Sequence, residues 1–462
     1  MRKLFITYDL SKTKQMGTSI KPKLGVFDLT MVVVSLIIGL GIFRTPVEVA
    51  NKAQTPTIFF MAWGLGAVIS LCGALTFAEI GSRYPTAGGY YKIFSHCYHP
   101  VIAFMVNWIS VISNAATSAL VAIIGADYIN PIILPNVDRE LGVKITTIIA
   151  VLLLFAINFI GIKMSSRVLN VLMAIKIGMM LLLISLIFAG HTTTPVLSSY
   201  SSLSMSDSGK AFLLCFVPVF FTCGGYHMMI NFGSDIKEPQ KNLPRSIFFG
   251  IAIAFTLYML VNFSYYYVLG FEQIKTSNAL AADMISLIFG DVGFKVTAVI
   301  MFFAVLAYVN SSIMANPRVY YAMAEDGVLP PILKKVNEKT QVQEWALTLY
   351  VAFIIVTLFL LSSVQKILDY VMFFDSIGMS LAVGSVFVLR HRAKKTGEPA
   401  GIYKMFGYPV LPILFILVYM GVNISVLINN PSTAMTGFIM VMSGWPLYYL
   451  MRLLIKGKIT NQ

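Results

Sequence analysis

Long apolar runs separated by short polar segments organise the chain. Runs such as 29–36, 148–157 and 248–258 are extended on both sides by further apolar residues. At about 1.5 Å of rise per residue, a helix of roughly 20 residues matches a hydrocarbon slab of about 30 Å. Lipid offers no partner to an unpaired N–H or C=O, so runs of this length are predicted as helices. The pattern predicts twelve spans, at about 27–50, 57–80, 101–129, 144–162, 167–189, 209–233, 246–269, 293–322, 343–362, 367–390, 408–429 and 433–454. Segment 278–290 is moderately apolar but too short to cross, and reads as an external helix or lid. Segment 85–100, containing Gly88-Gly89-Tyr90-Tyr91, reads as an amphipathic segment on the cytoplasmic side.

Composition agrees with an all-α membrane protein. Of 462 residues 57% are hydrophobic and 12% charged, against about 25% charged in soluble domains. The net charge of +14 does not point to nucleic acid, because the basic residues lie in short loops and no soluble basic domain exists to hold them. Their distribution sets orientation instead. Of 34 Lys and Arg, 25 fall on the side of the N-terminus and 8 on the other, with Lys176 in mid-span. The bias of basic residues toward the cytoplasm then places both termini there, in a multi-pass protein of the cell (inner) membrane. The first 25 residues carry no apolar core of a cleaved signal peptide. Cys72, Cys97, Cys215 and Cys223 show no metal or disulfide spacing, and His96, His99, His191, His227 and His391 are scattered. No cofactor, metal or enzymatic activity is expected, and no repeated pore loop suggests a channel.

Two spans carry paired glycines near their middles. The first contains Ile37-Ile38-Gly39-Leu40-Gly41-Ile42-Phe43, the sixth Phe220-Phe221-Thr222-Cys223-Gly224-Gly225-Tyr226. A single glycine often does no more than let helices approach closely. Two such sites five spans apart instead fit matching positions in two five-helix repeats, the sequence pointer to a midplane binding site. Unwinding frees N–H groups at a half-helix N-terminus for a carboxylate, and carbonyls for an ammonium. One unwound pair therefore suits both charges of an amino acid zwitterion.

At these residues the chain resembles the amino acid–polyamine–organocation (APC) superfamily, in particular its L-type amino-acid transporter branch. Ile38-Gly39-Leu40-Gly41-Ile42-Phe43 is similar to the family's I-G-S-G-I-F in helix 1. Ala78-Glu79-Ile80-Gly81 with Pro85 and Gly88-Gly89-Tyr90 resembles the loop after helix 2. Phe221 to Tyr226, Glu238-Pro239 and Asn242-Leu243-Pro244-Arg245 resemble helix 6 and its exit. Arg318 and 323–330 resemble the end of helix 8. The resemblance implies a LeuT-type 5+5 inverted repeat with helices 1 and 6 broken: an N-terminal tail over 1–26, repeats over 27–189 and 209–390, helices 11 and 12 over 408–454, and a C-terminal tail over 455–462. It implies a substrate carboxylate at the N–H groups of Leu40, Gly41 and Ile42. The ammonium would meet carbonyls near Ile37, Phe221 and Gly224, with Ile38, Gly39, Thr222 and Cys223 completing the two breaks. Phe221 matches the aromatic gate over the substrate, and Leu40 departs from the family's serine.

Lys176 lies mid-way along the fifth span, where a charge costs about 2.5–3.5 kcal/mol even on lenient insertion scales. It resembles the helix-5 lysine that takes the place of a sodium ion beside broken helix 1; a structural clamp and a proton-exchanging group are the other readings. Asp375, in the outer part of the tenth span, is a lone intramembrane acid. Facing the pocket, it would favour a cationic or polar side chain or make the site pH-sensitive. Arg44, Tyr226 and His227 flank the breaks as further pocket or gate candidates, and Glu48, Glu79 and Asp127 read as structural charges near span ends. The resemblance implies a sodium-independent amino-acid exchanger or proton symporter in the lipid bilayer. A transporter-derived sensor and a permease for polyamines or other organic cations stay open. Loop 130–143 lacks the cysteine that links family members to a heavy subunit, so no disulfide-linked partner is expected. A homodimer is compatible with the sequence.

Overall fold

A computed structural model describes residues 20–39, 41–189, 204–277, 279–360, 364–398, 401–429 and 431–459. Leu40, Asn278, residues 1–19 of the predicted N-terminal tail and residues 460–462 of the predicted C-terminal tail lie outside the described residues. The described residues are mainly helical, joined by short loops. Two isolated β-bridges, Leu24 with Ile236 and Ala87 with Phe232, are the extended pairings among the described residues.

The first predicted span is two helices, α1 (Val26–Ile37) and α2 (Gly41–Ala53). α3 (Pro56–Arg83) starts at Thr55, whose side chain accepts from Ile58 N ahead of a proline in the first turn, a favourable N-terminus. A short α4 (Gly89–Cys97) precedes the long α5 (Pro100–Ile133), α6 (Arg139–Ile160) and α7 (Ile162–Ser185). The sixth predicted span is α8 (Met205–Leu214), α9 (Phe216–Cys223) and 3₁₀ turns over Tyr226–Asn231 and Gly233–Asp235. There follow α10 (Pro239–Leu269), α11 (Phe271–Thr276), α12 (Leu280–Ala315), α13 (Pro317–Glu325), α14 (Glu344–Leu360), α15 (Val364–Thr396), α16 (Val410–Asn429) and α17 (Pro431–Ile459).

Among the described residues, eleven helical stretches are long and apolar enough to cross a membrane. The predicted ninth span, 343–362, is met by the shorter apolar helix Glu344–Phe359, which ends beside residues outside the described set. The predicted short external segment begins α12 as Leu280–Gly290, and Gly290 (φ 59°, ψ −150°) separates it from the long part of that helix. Segment 85–100 differs from its amphipathic expectation. Seven of the nine residues of α4 are buried, because Gly88 takes a left-handed φ of 63° and Gly89 lets the turn lie against the Ile230 carbonyl.

The core is built around the broken elements. α1 packs on α10, α7 and α12, α3 on α10 and α9, and α5 on α12. α16 and α17 are peripheral and largely exposed, as lipid-facing helices are.

Candidate functional site: a cavity at two facing helix breaks

α1 stops because Ile38 leaves helical space (φ −77°, ψ 79°), although its N–H still caps Val34 O. α9 stops because Gly224 is extended (φ −79°, ψ −166°) and Gly225 takes φ 92°, a region that favours glycine. The two breaks touch. A Cβ on Gly225 would run into the Leu36 carbonyl, and one on Gly41 would stand 2.6 Å from Thr222 Cγ2. Tyr258, on α10, joins them. Its hydroxyl lies 2.8 Å from Ile37 O and 3.1 Å from Thr222 O, so one O–H serves the carbonyls of both broken strands.

A cavity of about 1040 Å³ opens at the breaks. Its deep wall includes Ile37, Gly39, Gly41, Phe221, Thr222 and Gly224. Its mouth lies at the far end of α2 and α5, where Glu48 pairs with Lys52 at 2.6 Å and Arg139 grips Asp127 through two bonds of 2.9 and 2.8 Å. Arg44, His227 and Asp375 also line it; Arg44 is exposed and Asp375 half-buried.

The opposite end of the breaks is sealed. Lys23 N and Leu24 N both donate to Asp235 O, at 2.8 and 3.0 Å, and Lys237 N donates to Leu24 O at 3.1 Å. Arg318 donates to the Asp235 carboxylate at 2.6 and 3.1 Å, and its guanidinium lies 4.4 Å from the centre of the Phe232 ring. Among the described residues the cavity is closed at the end near the N-terminal segment, and Glu48, Lys52, Asp127 and Arg139 line its other end.

Lys176 stands behind the α1 break rather than in the cavity. It is fully buried, and its Nζ donates to Ile38 O at 2.5 Å, its one hydrogen-bond acceptor among the described residues. Ile38 O is freed by the break, since the helix that would supply its i+4 donor has stopped. The first N–H groups of α2 lack intrahelical acceptors in the same way, and Gly41, Phe43 and Arg44 of that first turn line the cavity.

Several expected side chains do not reach the cavity. Ile38 and Ile42 turn into the core, Cys223 packs beside Gly66 on α3, and Tyr226 packs edge-on to Phe77 at 6.0 Å. Helical geometry sends alternate sides of each break away from the opening, so only backbone atoms at Ile38, Ile42 and Cys223 can serve it. Ile37 O already accepts from Gly39 N and Tyr258 Oη, both at 2.8 Å, which occupies its two lone pairs. Phe221 O carries one long bond, 3.4 Å from Gly224 N, and has capacity left for an ammonium. Glu79 is structural: it pairs with Arg390 at 2.6 Å and with Arg83 at 2.8 Å. The sequence reading missed Tyr258, which lies in an ordinary apolar helix with no motif. It also stressed Gly224 over Gly225, whose positive φ only the fold reveals.

The match to the amino acid permease family runs over residues 24–451, both breaks, Lys176 and Asp375 included. The chain belongs to the amino acid permease family. Relatives of this permease include the serine/threonine exchanger SteT of Bacillus subtilis (strain 168), 29% identical over 443 residues, which are 94% of this chain and 97% of the relative. The large neutral amino acids transporter small subunit 2 of Rattus norvegicus is 26% identical over 448 residues, 94% of this chain and 81% of its own. The human cystine/glutamate transporter is 24% identical over 446 residues, 94% and 86% of the two chains. The expected membership of the superfamily and its L-type branch is borne out. The permease is an all-α, multi-pass membrane protein and an amino-acid transporter, and these relatives bear the names of transporters and exchangers.

Proposed function

We propose that this permease carries an amino acid as its zwitterion by alternating access without sodium, as an exchanger or proton-coupled symporter. The carboxylate sits on the N–H groups that begin α2, with the adjoining Leu40 completing the break, and the ammonium on the carbonyls of Phe221 and Gly224. Phe221, on the cavity wall, closes over the substrate. The observation that carries the reading is Lys176 Nζ on Ile38 O at 2.5 Å: a tethered ammonium fills the charge a bound sodium ion would supply beside a broken helix.

The chain is read as two inverted five-helix repeats followed by two helices, twelve spans in all, in the cell membrane with both termini cytoplasmic. The mouth at Arg139 and Lys52 is then external, and the seal at Asp235 and Arg318 internal. Loop 130–143 has no cysteine, and the four cysteines of the chain are buried, which supports a permease working without a disulfide-linked subunit.

Uptake of a panel of labelled amino acids into proteoliposomes tests the proposal. Replacing sodium by potassium or choline is expected to leave uptake unchanged. A strict sodium requirement overturns the reading of Lys176.

A further inference from the structure

Beside the cavity lies a small recess of about 10 Å³, and the two share Asn114, His227, Met228 and Asp375 as walls. A recess of that size holds one water-sized group and no more. Asn107, Ser110 and Asn114 line it from one face of α5, at the three- and four-residue spacing that puts side chains side by side.

The hydrogen bonds of the α5 groups and His227 leave acceptors over, while Tyr90 and Asn231, which also line the recess, bring an O–H and an NH₂. Asn107 Nδ2 donates to Ala103 O at 2.9 Å, and Asn107 Oδ1, fully buried, has no partner. The Ser110 hydroxyl donates to Val106 O at 2.9 Å, which leaves its lone pairs. Asn114 Nδ2 donates to Asn316 Oδ1 at 2.9 Å. His227 is buried with Nδ1 unpartnered, an acceptor in the tautomer that carries its proton on Nε2. Asp375 adds a carboxylate, and no Lys or Arg lines the recess among the described residues. Asn107 Oδ1 and His227 Nδ1 are without a hydrogen-bond partner among the described residues, and a buried acceptor is unfavourable until something supplies the proton.

Resting on the amino-acid reading above, we propose that this recess is the side-chain subsite and selects amino acids whose side chain ends in a compact hydrogen-bond donor, a hydroxyl or an ammonium. Asp375, Asn107 and His227 determine that specificity. An apolar side chain of the same length leaves the acceptors unmet, and a guanidinium or imidazole exceeds the space. Sites built to bond a polar substrate group reject the isostere lacking it far more strongly than apolar pockets distinguish one methylene.

Two isosteric pairs test this on the purified full-length protein by scintillation proximity: threonine against valine, and ornithine against norleucine. In at least one pair the donor-bearing member is expected to bind about tenfold or more tightly. Asn107→Leu, or Ser110→Ala where that variant does not fold, is expected to shrink the ratio to below about threefold while the apolar member keeps its affinity. Asp375→Asn separates the two sources, because it removes charge but keeps an acceptor: an ammonium preference collapses and a hydroxyl preference persists. Valine and norleucine binding as tightly as their partners in the parent protein overturns the proposal, as do ratios that survive every variant. Failure of all amino acids to bind overturns the amino-acid reading first and this one with it, whereas binding without discrimination overturns this one alone.

Discussion

Lys176 is the residue on which the most turns. Lys176→Met keeps the apolar stem and removes the ammonium, so Ile38 O loses its donor inside the membrane. An unmet buried acceptor costs about 1–3 kcal/mol. Uptake is expected to fall at least about fivefold, with the protein still inserted, and near-parental uptake would remove Lys176 from the mechanism. Gly41 gives a second test. Its missing Cβ makes room for Thr222, which would otherwise be met at 2.6 Å, so Gly41→Ala is expected to impair binding. Thr222→Ala should restore part of the loss in the double variant, because the clash is with the threonine side chain. Additive losses in the double-mutant cycle would place the effect elsewhere. The sequence made Lys176 legible because a charge in mid-span is costly wherever it points. It could not reveal Asn107, whose free Oδ1 depends on where the recess falls, or Tyr258, which looks like any aromatic on an apolar helix.

Among elements, the seal opposite the cavity mouth is the most exposed to test. It joins the turn before α10, the start of α13 and the segment before α1 through Asp235 and Arg318, both buried. Asp235→Asn leaves the Arg318 guanidinium buried against a neutral amide, a change worth about 3–5 kcal/mol in comparable buried pairs. A clear drop in melting temperature is expected, and an unchanged one would show that the pair does not hold this face together. The spans themselves were legible because lipid allows only helices of a given length. What periodicity could not see was contact: α4 reads as a surface segment, yet it is buried because two glycines let its backbone approach α13 and the turn at Ile230. The expected span 343–362 runs two residues past the described end of α14 at Leu360.

For the whole molecule, the charge asymmetry between loops makes a topological prediction. Val137→Cys, between α5 and α6, is expected to react with a membrane-impermeant thiol reagent added outside intact cells, and Lys339→Cys, before α14, only after permeabilisation. The native cysteines are buried, so the background should be low. The reverse pattern would invert the molecule and make the open cavity face the cytoplasm.

A cation fixed to the protein also changes the thermodynamics of the cycle. A sodium ion enters from one compartment and leaves into the other, so each turnover dissipates part of an electrochemical gradient, and the substrate can accumulate against its own. On the proposed reading Lys176 returns with the protein at the end of every cycle and performs no such work. The concentration ratio this permease can sustain is then set wholly by its counter-substrate or by protons. Vesicles given a sodium gradient alone should fill only to equilibrium, and loading them with a second amino acid or imposing a pH difference should carry them beyond it.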